Sequence, residues 1–338
     1  MGAAARLVIA GLLALPALAG VSTLLETSAF LVEFLGQGRW QPLSQLTPEP
    51  SVRALPGAAA AGHPVAVDLY TRPALRRPPG LVLVHGLSPE GKDDARLRGA
   101  AALLARAGWA VAVPTVEGLT ALRLRPEDAD AVSAAVGALR AAGYGRVALL
   151  GVSLGAGPAL LAAADQATAT RLSAVLALGG YASAMELLRY TLTGAYAFGP
   201  VSGRAAVLEP AIAQFAGANA ELVDAAGRRL VDNRDPAAFD ALVQALPART
   251  RDLLDALSPG RAVAGLRAPL FLIHGRADPA VPFTESLRLE AAARAAGRRV
   301  RTAIVGALGH VEADRRHAAA DLLRLWATFY AFRRAAEG

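Results

Sequence analysis

Gly151-Val152-Ser153-Leu154-Gly155 sets a serine hydroxyl between two glycines, directly after the apolar run Val147-Ala148-Leu149-Leu150 and before Ala156-Gly157-Pro158-Ala159-Leu160. A serine on a sharp strand-to-helix turn is held in a strained conformation with its hydroxyl exposed, and the flanking glycines leave room where a Cβ would collide. A hydroxyl is a weak nucleophile at neutral pH, so it needs a base to take its proton and a third group to orient that base. Two later segments supply both. Asp278 follows Leu270-Phe271-Leu272-Ile273-His274-Gly275 in a proline-containing turn, and His310 follows the run ending at Val305 through a loop carrying Gly306 and Gly309. The reading is Ser153 as nucleophile, His310 as general base and then acid, and Asp278 as the carboxylate that fixes the imidazole tautomer.

Attack on a carbonyl also needs donors for the developing oxyanion. The Leu154 N–H, at the start of a helix, is one. Leu81-Val82-Leu83-Val84-His85-Gly86-Leu87 ends a strand in a tight turn, and the Leu87 N–H is read as the second, with Ser88 as its alternative. His85 and His274 each end an apolar strand before glycine and are assigned structural hydrogen bonds. His317 and Asp314 fall in a helical pattern and read as exposed, while His63 sits in a lead-in. The five histidines show no H-x-x-x-H or H-E-x-x-H spacing, and the chain has no cysteine, so neither a metal site nor a thiol nucleophile is expected. No glycine-rich dinucleotide fingerprint appears, and no cofactor is assigned.

The elements that must position these groups follow an alternation of short β-rich runs and longer Ala/Leu/Arg stretches, the pattern of parallel strands joined by crossover helices. Strands are expected near Val65-Tyr70, Leu81-His85, Ala110-Pro114, Val147-Gly151, Ala174-Leu178, Leu270-His274 and Arg299-Val305. Helices are expected over Ala95-Ala107, Glu127-Ala142, Leu154-Ala164, Thr284-Ala296 and Glu312-Arg333. About ninety residues separate the fifth and sixth of these strands, far more than one crossover uses. Four candidate helices in that gap, Met185-Leu192, Ala205-Phe215, Ala220-Leu230 and Pro236-Leu246, predict a helical cap over the carboxyl ends of the strands, where such sheets bind ligands. The fold class is therefore α/β, a doubly wound, mostly parallel sheet with an inserted cap. Residues 63–181 and 260–338 are assigned to the core, 182–259 to the cap and 26–62 to a linker or lead-in.

Arg6 precedes Leu7 to Leu25, nineteen residues without a charge, before Glu26. Three readings stand for residues 1–25: a cleaved signal peptide with a small-residue site at Ala17-Leu18-Ala19, an uncleaved membrane anchor, since nineteen residues at 1.5 Å rise span roughly 28 Å, and, less favoured, a merely buried helix. The first two put the catalytic domain outside the cytoplasm, exported or membrane-attached. The 54% hydrophobic content excludes a disordered chain. The net charge of +7 comes from scattered arginines with no basic run interleaved with aromatics, so nucleic acid is not an expected partner.

VLVHG, GVSLG, HGRADPAVP and GALGH, in that order between His63 and Phe332, resemble the α/β-hydrolase superfamily, and their spacing is similar to its dienelactone-hydrolase-like and prolyl-oligopeptidase-like branches. The resemblance implies a serine hydrolase of the carboxylesterase kind, cleaving small-molecule or lipid esters through an acyl-enzyme. A peptidase or thioesterase on the same three residues is the alternative, and a non-catalytic binding protein on the same scaffold is the alternative of another class.

Overall fold

Apolar runs too short for helices build the sheet. The computed structural model describes residues 21–36, 39–73, 75, 78–306, 308–310 and 319–338. Among them eight strands form one sheet: β1 (Ser51–Ala54), β2 (Val67–Thr71), β3 (Gly80–Val84), β4 (Ala110–Pro114), β5 (Val147–Val152), β6 (Leu172–Leu178), β7 (Leu270–Gly275) and β8 (Val300–Val305). Their order is β1-β2-β4-β3-β5-β6-β7-β8. β2 runs antiparallel to β1 and β4, and the remaining pairs are parallel. The central strands are buried throughout, as strands covered on both faces must be, and for that reason they read as unbroken apolar runs.

The helices of six or more residues are α1 (21–36), α2 (Ala95–Arg106), α3 (Asp128–Ala141), α4 (Ala156–Ala164), α5 (Ala184–Thr193), α6 (Glu209–Ala218), α7 (Ala225–Val231), α8 (Phe239–Gln244), α9 (Ala248–Ala256), α10 (Thr284–Ala295) and α11 (Ala319–Glu337). Side-chain alternation along the strands splits the core into two layers. Val82, Val84 and Leu149 face α3, α4 and α10, while Leu81, Leu83 and Leu150 face α1, α2 and α11. The doubly wound, mostly parallel sheet is thus the predicted one. Residues 312–318 of the predicted last helix lie outside the described residues, with His317 and Asp314, and the helix continues past Arg333 to Glu337.

The assignment of 26–62 to a linker is corrected. Residues 21–36 are helical and pack on α11, with Phe30 stacked 4.7 Å from Phe329 and Trp326 donating to Ser28 at 3.1 Å. β1 then adds an edge strand to the sheet, so the core begins well before His63. Most of the uncharged amino-terminal run lies outside the described residues. Among the described residues no helix is long and apolar enough to cross a membrane.

Between β6 and β7 the chain leaves the sheet for α5 to α9 and a hairpin, Ala195–Phe198 with Val201–Arg204. This insertion has its own small core around Leu192, Ile212, Phe239 and Val243. Its two ends meet over one buried carboxyl. Glu285 accepts the N–H groups of Ala182 at 3.0 Å and Ser183 at 2.8 Å, the Gly260 N–H returns to the Ala182 carbonyl at 2.8 Å, and the Ala184 N–H donates to Ser258 at 2.9 Å.

Burial pushes the Glu285 carboxyl up to about 7, against the two N–H donors and Arg288. A carboxyl raised in the folded state is bound to a proton there more often than in the unfolded chain, so its share of stability is full below 4.5 and lost as pH rises through about 7. Glu285→Gln abolishes that titration. Thermal melts should then show the variant gaining on wild type as pH climbs across this window, and a difference independent of pH would assign the titration elsewhere.

Candidate active site

The turn after β5 carries the serine. Ser153 has φ +52°, a left-handed conformation that a residue with a Cβ adopts only under constraint. The constraint is close packing on both sides: a Cβ on Gly151 would lie 2.6 Å from the Ala156 Cα, and one on Gly155 would collide with the His85 carbonyl oxygen. The strand end of β3 is thereby pressed against the turn, and Ser153 begins a short 3-10 turn, Ser153–Gly155, that leads into α4.

Loops after β7 and β8 bring the other two groups to the same rim. His310 Nε2 lies 2.6 Å from Ser153 Oγ, and His310 Nδ1 lies 2.6 Å from Asp278 Oδ2. Ser153 and His310 are half-buried, while the Asp278 carboxylate is fully buried. Its second oxygen accepts the N–H groups of Ala280 at 2.8 Å and Val281 at 2.9 Å, so the turn after Asp278 folds back to hold it. Burial alone would raise this carboxyl, but hydrogen bonds from His274 and His310 prevail and bring it down to about 2. The group is an anion at neutral pH. The three residues named from the sequence are thus brought together in one hydrogen-bonded chain.

His274 makes the structural hydrogen bonds assigned to it, and its closeness to Asp278 is what sequence reasoning missed. Its Nε2 faces both the Val281 carbonyl, at 2.9 Å, and Asp278 Oδ2, at 3.3 Å, while its Nδ1 lies 2.7 Å from Ser286 Oγ. With a carbonyl before it, Nε2 carries a proton, and a second imidazole thus stands beside the carboxylate that His310 uses. Its place four residues ahead of Asp278, at the strand end, was the available signal. Tyr190 of α5, also unpredicted, donates from the cap to the carbonyls of Asp278 and Pro279, both at 3.2 Å. Burial and the Asp278 charge push its hydroxyl up to about 12, so it remains a donor.

His85 has the structural part expected of it. The Val116 N–H donates to its Nε2 at 3.0 Å and its Nδ1 meets the Gly86 carbonyl at 2.7 Å, which fixes the Nδ1–H tautomer. Burial holds its pKa below the ordinary histidine value. Gly86 passes so near the serine that a Cβ there would stand 3.2 Å from Ser153 Cβ, and Leu87 follows it in the wall of the same cavity. Ser88 gives its N–H to the Leu119 carbonyl at 3.3 Å, whereas the Leu87 N–H has no partner among the described residues. Leu154 lies in the first turn after the strand, where N–H groups have no preceding turn to receive them.

The serine and imidazole open into a cavity of about 850 Å³ between the sheet rim and the insertion. Leu187 and Leu188 of α5, Phe215 of α6 and Leu253 and Leu254 of α9 form its roof, and Phe34 of α1 contributes to a wall. Among the described residues no cluster of acidic or histidine side chains could hold a metal ion.

A family model for the prolyl oligopeptidase family matches residues 237–332, a stretch that includes Asp278 and His310 but not Ser153. No curated protein matches the sequence. Among solved structures, an acylaminoacyl peptidase from Pyrococcus horikoshii superposes with a TM-score of 0.56 at 18% identity, over 86% of this chain and 43% of its own. A puromycin-hydrolyzing peptidase from Mycobacterium tuberculosis gives a TM-score of 0.53 at 20% identity, over 87% and 40%. A Klebsiella pneumoniae protein named for dienelactone hydrolase gives 0.51 at 12% identity, over 85% and 99%. The chain therefore spans less than half the length of the two peptidases and nearly all of the third protein.

Proposed function

We propose that this chain, a member of the α/β-hydrolase superfamily, is a serine hydrolase that cleaves carboxylic esters through an acyl-enzyme. The observation that carries this reading is the chain of two 2.6 Å contacts from Ser153 through His310 to Asp278. In it, Ser153 Oγ attacks the carbonyl carbon while His310 Nε2 takes the hydroxyl proton. The Leu87 and Leu154 N–H groups receive the oxyanion, and the Asp278 carboxylate holds Nδ1–H and stabilises the imidazolium. The C–O bond of the ester breaks as the imidazolium returns its proton to the departing alcohol. Water, deprotonated by the same Nε2, then attacks the acyl carbon, and the bond to Ser153 Oγ breaks as the imidazolium returns the proton to that oxygen, releasing the acid.

A peptidase on the same residues is the second reading. The family match over 237–332 and the likeness to two peptidases favour it, and it differs only in the group that leaves. Two measurements test the proposal. A fluorophosphonate probe should label the wild-type protein and leave Ser153→Ala unlabelled; equal labelling of both would end the assignment of Ser153 as nucleophile. Matched ester and anilide substrates should separate the readings, with the ester hydrolysed and the anilide inert; anilide cleavage at a comparable rate would give the peptidase reading precedence.

A further inference from the structure

The cavity under the insertion is larger than an acetyl or butyryl ester needs. Its volume of about 850 Å³ falls toward the upper end of the 300–1,000 Å³ over which sites enclose a ligand of drug size. Its walls are chiefly leucine, alanine and phenylalanine side chains from α1, α2, α5, α6 and α9, with Val152 and Val281 at the sheet rim.

What the polar wall residues do decides the class of ligand. Ser88 spends its hydroxyl on Glu90 at 2.8 Å and Asp94 at 3.0 Å. Tyr190 donates to the Asp278 loop, Thr191 to the Leu187 carbonyl at 2.8 Å, and Asn219 gives its amide N–H to the Phe215 carbonyl at 2.8 Å. Both ring nitrogens of His85 are engaged. The charged pair on the wall, Asp94 and Arg96, is matched internally at 3.4 Å, and Asp94 also caps α2. These groups are thus hydrogen-bonded within the protein. A peptide threaded here would bury amide N–H and C=O groups against hydrocarbon with few partners, which is costly, whereas a hydrocarbon chain has no such groups to lose.

We infer that the cavity is a subsite for a long hydrocarbon chain, and that the substrate is an ester bearing such a chain. This rests on the hydrolase reading above and narrows it. The chain could belong to the acyl group or to the alcohol, and both place the same chemistry against the same walls. Apolar burial of each added methylene, where room remains, contributes a factor of roughly four to binding in the transition state.

The test uses the full chain and two series of chromogenic or coupled-assay esters. One lengthens the acyl group from acetate through octanoate and dodecanoate to hexadecanoate, and the other lengthens the alcohol of an acetate ester. The expected result is a rise in kcat/KM of at least a hundredfold from the shortest member to the optimum in one of the two series, and the series that rises identifies which side of the ester enters the cavity. Ala211→Trp, which fills the cavity from α6, should lower the dodecanoate-to-acetate ratio of kcat/KM, or its counterpart in the alcohol series, at least tenfold. Leu188→Asn, which makes the roof polar without closing it, should lower the same ratio.

Fluorophosphonate labelling of each protein shows which idea fails. A labelled enzyme whose rates are flat or fall with length in both series overturns the hydrocarbon subsite and leaves the hydrolase intact. So does a ratio unmoved by both substitutions. A wild-type protein that is never labelled and turns over no ester overturns both.

Discussion

Asp278→Asn should lower kcat by about 10⁴-fold with the substrate still bound, the largest loss expected from a change of so few atoms. The substituted oxygen still accepts from Ala280 and Val281, so the turn keeps its shape. The amide nitrogen, however, faces the His310 Nδ1 position 2.6 Å away and now donates there. The imidazole must place its own proton on Nε2, and a protonated Nε2 cannot take the proton of Ser153. His274 Nε2, 3.3 Å from that position, gives its proton to the Val281 carbonyl, so it offers the new amide no acceptor. Melting should fall by only a few degrees. The pH profile adds a check with a fixed sign. Because the folded carboxyl is lowered from 3.8 to about 2, its contribution to stability is present above 3.8 and is lost as pH falls through 2, so loss of activity on the acid side above pH 4 belongs to another group. Turnover by Asp278→Asn within tenfold of wild type would transfer the orienting role to another residue.

The parts of this arrangement legible in the sequence are those written locally. Ser153, Asp278 and His310 each stand just past an apolar strand run, and a strand end in a parallel sheet fixes which rim a loop reaches. Residues 157 apart could therefore be assigned to one place without any knowledge of their contacts. What escaped has a physical cause in each case. β1 is exposed along its whole length and shows no apolar alternation, since pairing with β2 alone defines it. α9 buries no residue and is mostly charged side chains and alanine, which leaves it without an apolar run to mark it. The predicted Ala220-Leu230 helix is broken where Asp224 turns its carboxylate to the Gly227 N–H and caps a new start. The hairpin at Ala195–Arg204 turns at Gly199-Pro200, a local signal outweighed by the helical pattern around it. His274 was read only as a hydrogen-bonding strand end, because its partner is identified by the fold of the Asp278 turn and not by any motif.

Gly275→Ala should disable the site from a position that touches neither substrate nor serine. Gly275 ends β7, and the chain after β8 crosses it so closely that an added Cβ would sit inside the Gly309 carbonyl oxygen and 2.5 Å from that of Leu308. Both contacts are backbone, so no flexible side chain can swing aside. Either the strand end or the loop must move, and the loop carries His310 as its next residue. Overpacking of this kind costs about 1–3 kcal/mol, and a displacement of about 1 Å in a catalytic group can cost about 10² in rate. The expected variant therefore melts several degrees lower and loses at least a hundredfold in kcat/KM. The balance distinguishes it from Asp278→Asn, in which turnover falls about a hundred times further for no larger a drop in the melt. A Gly275→Ala protein with wild-type melting and wild-type kcat/KM would mean that the two loops do not cross at this distance, and the 2.6 Å contacts of His310, which depend on that crossing, would then lose their support.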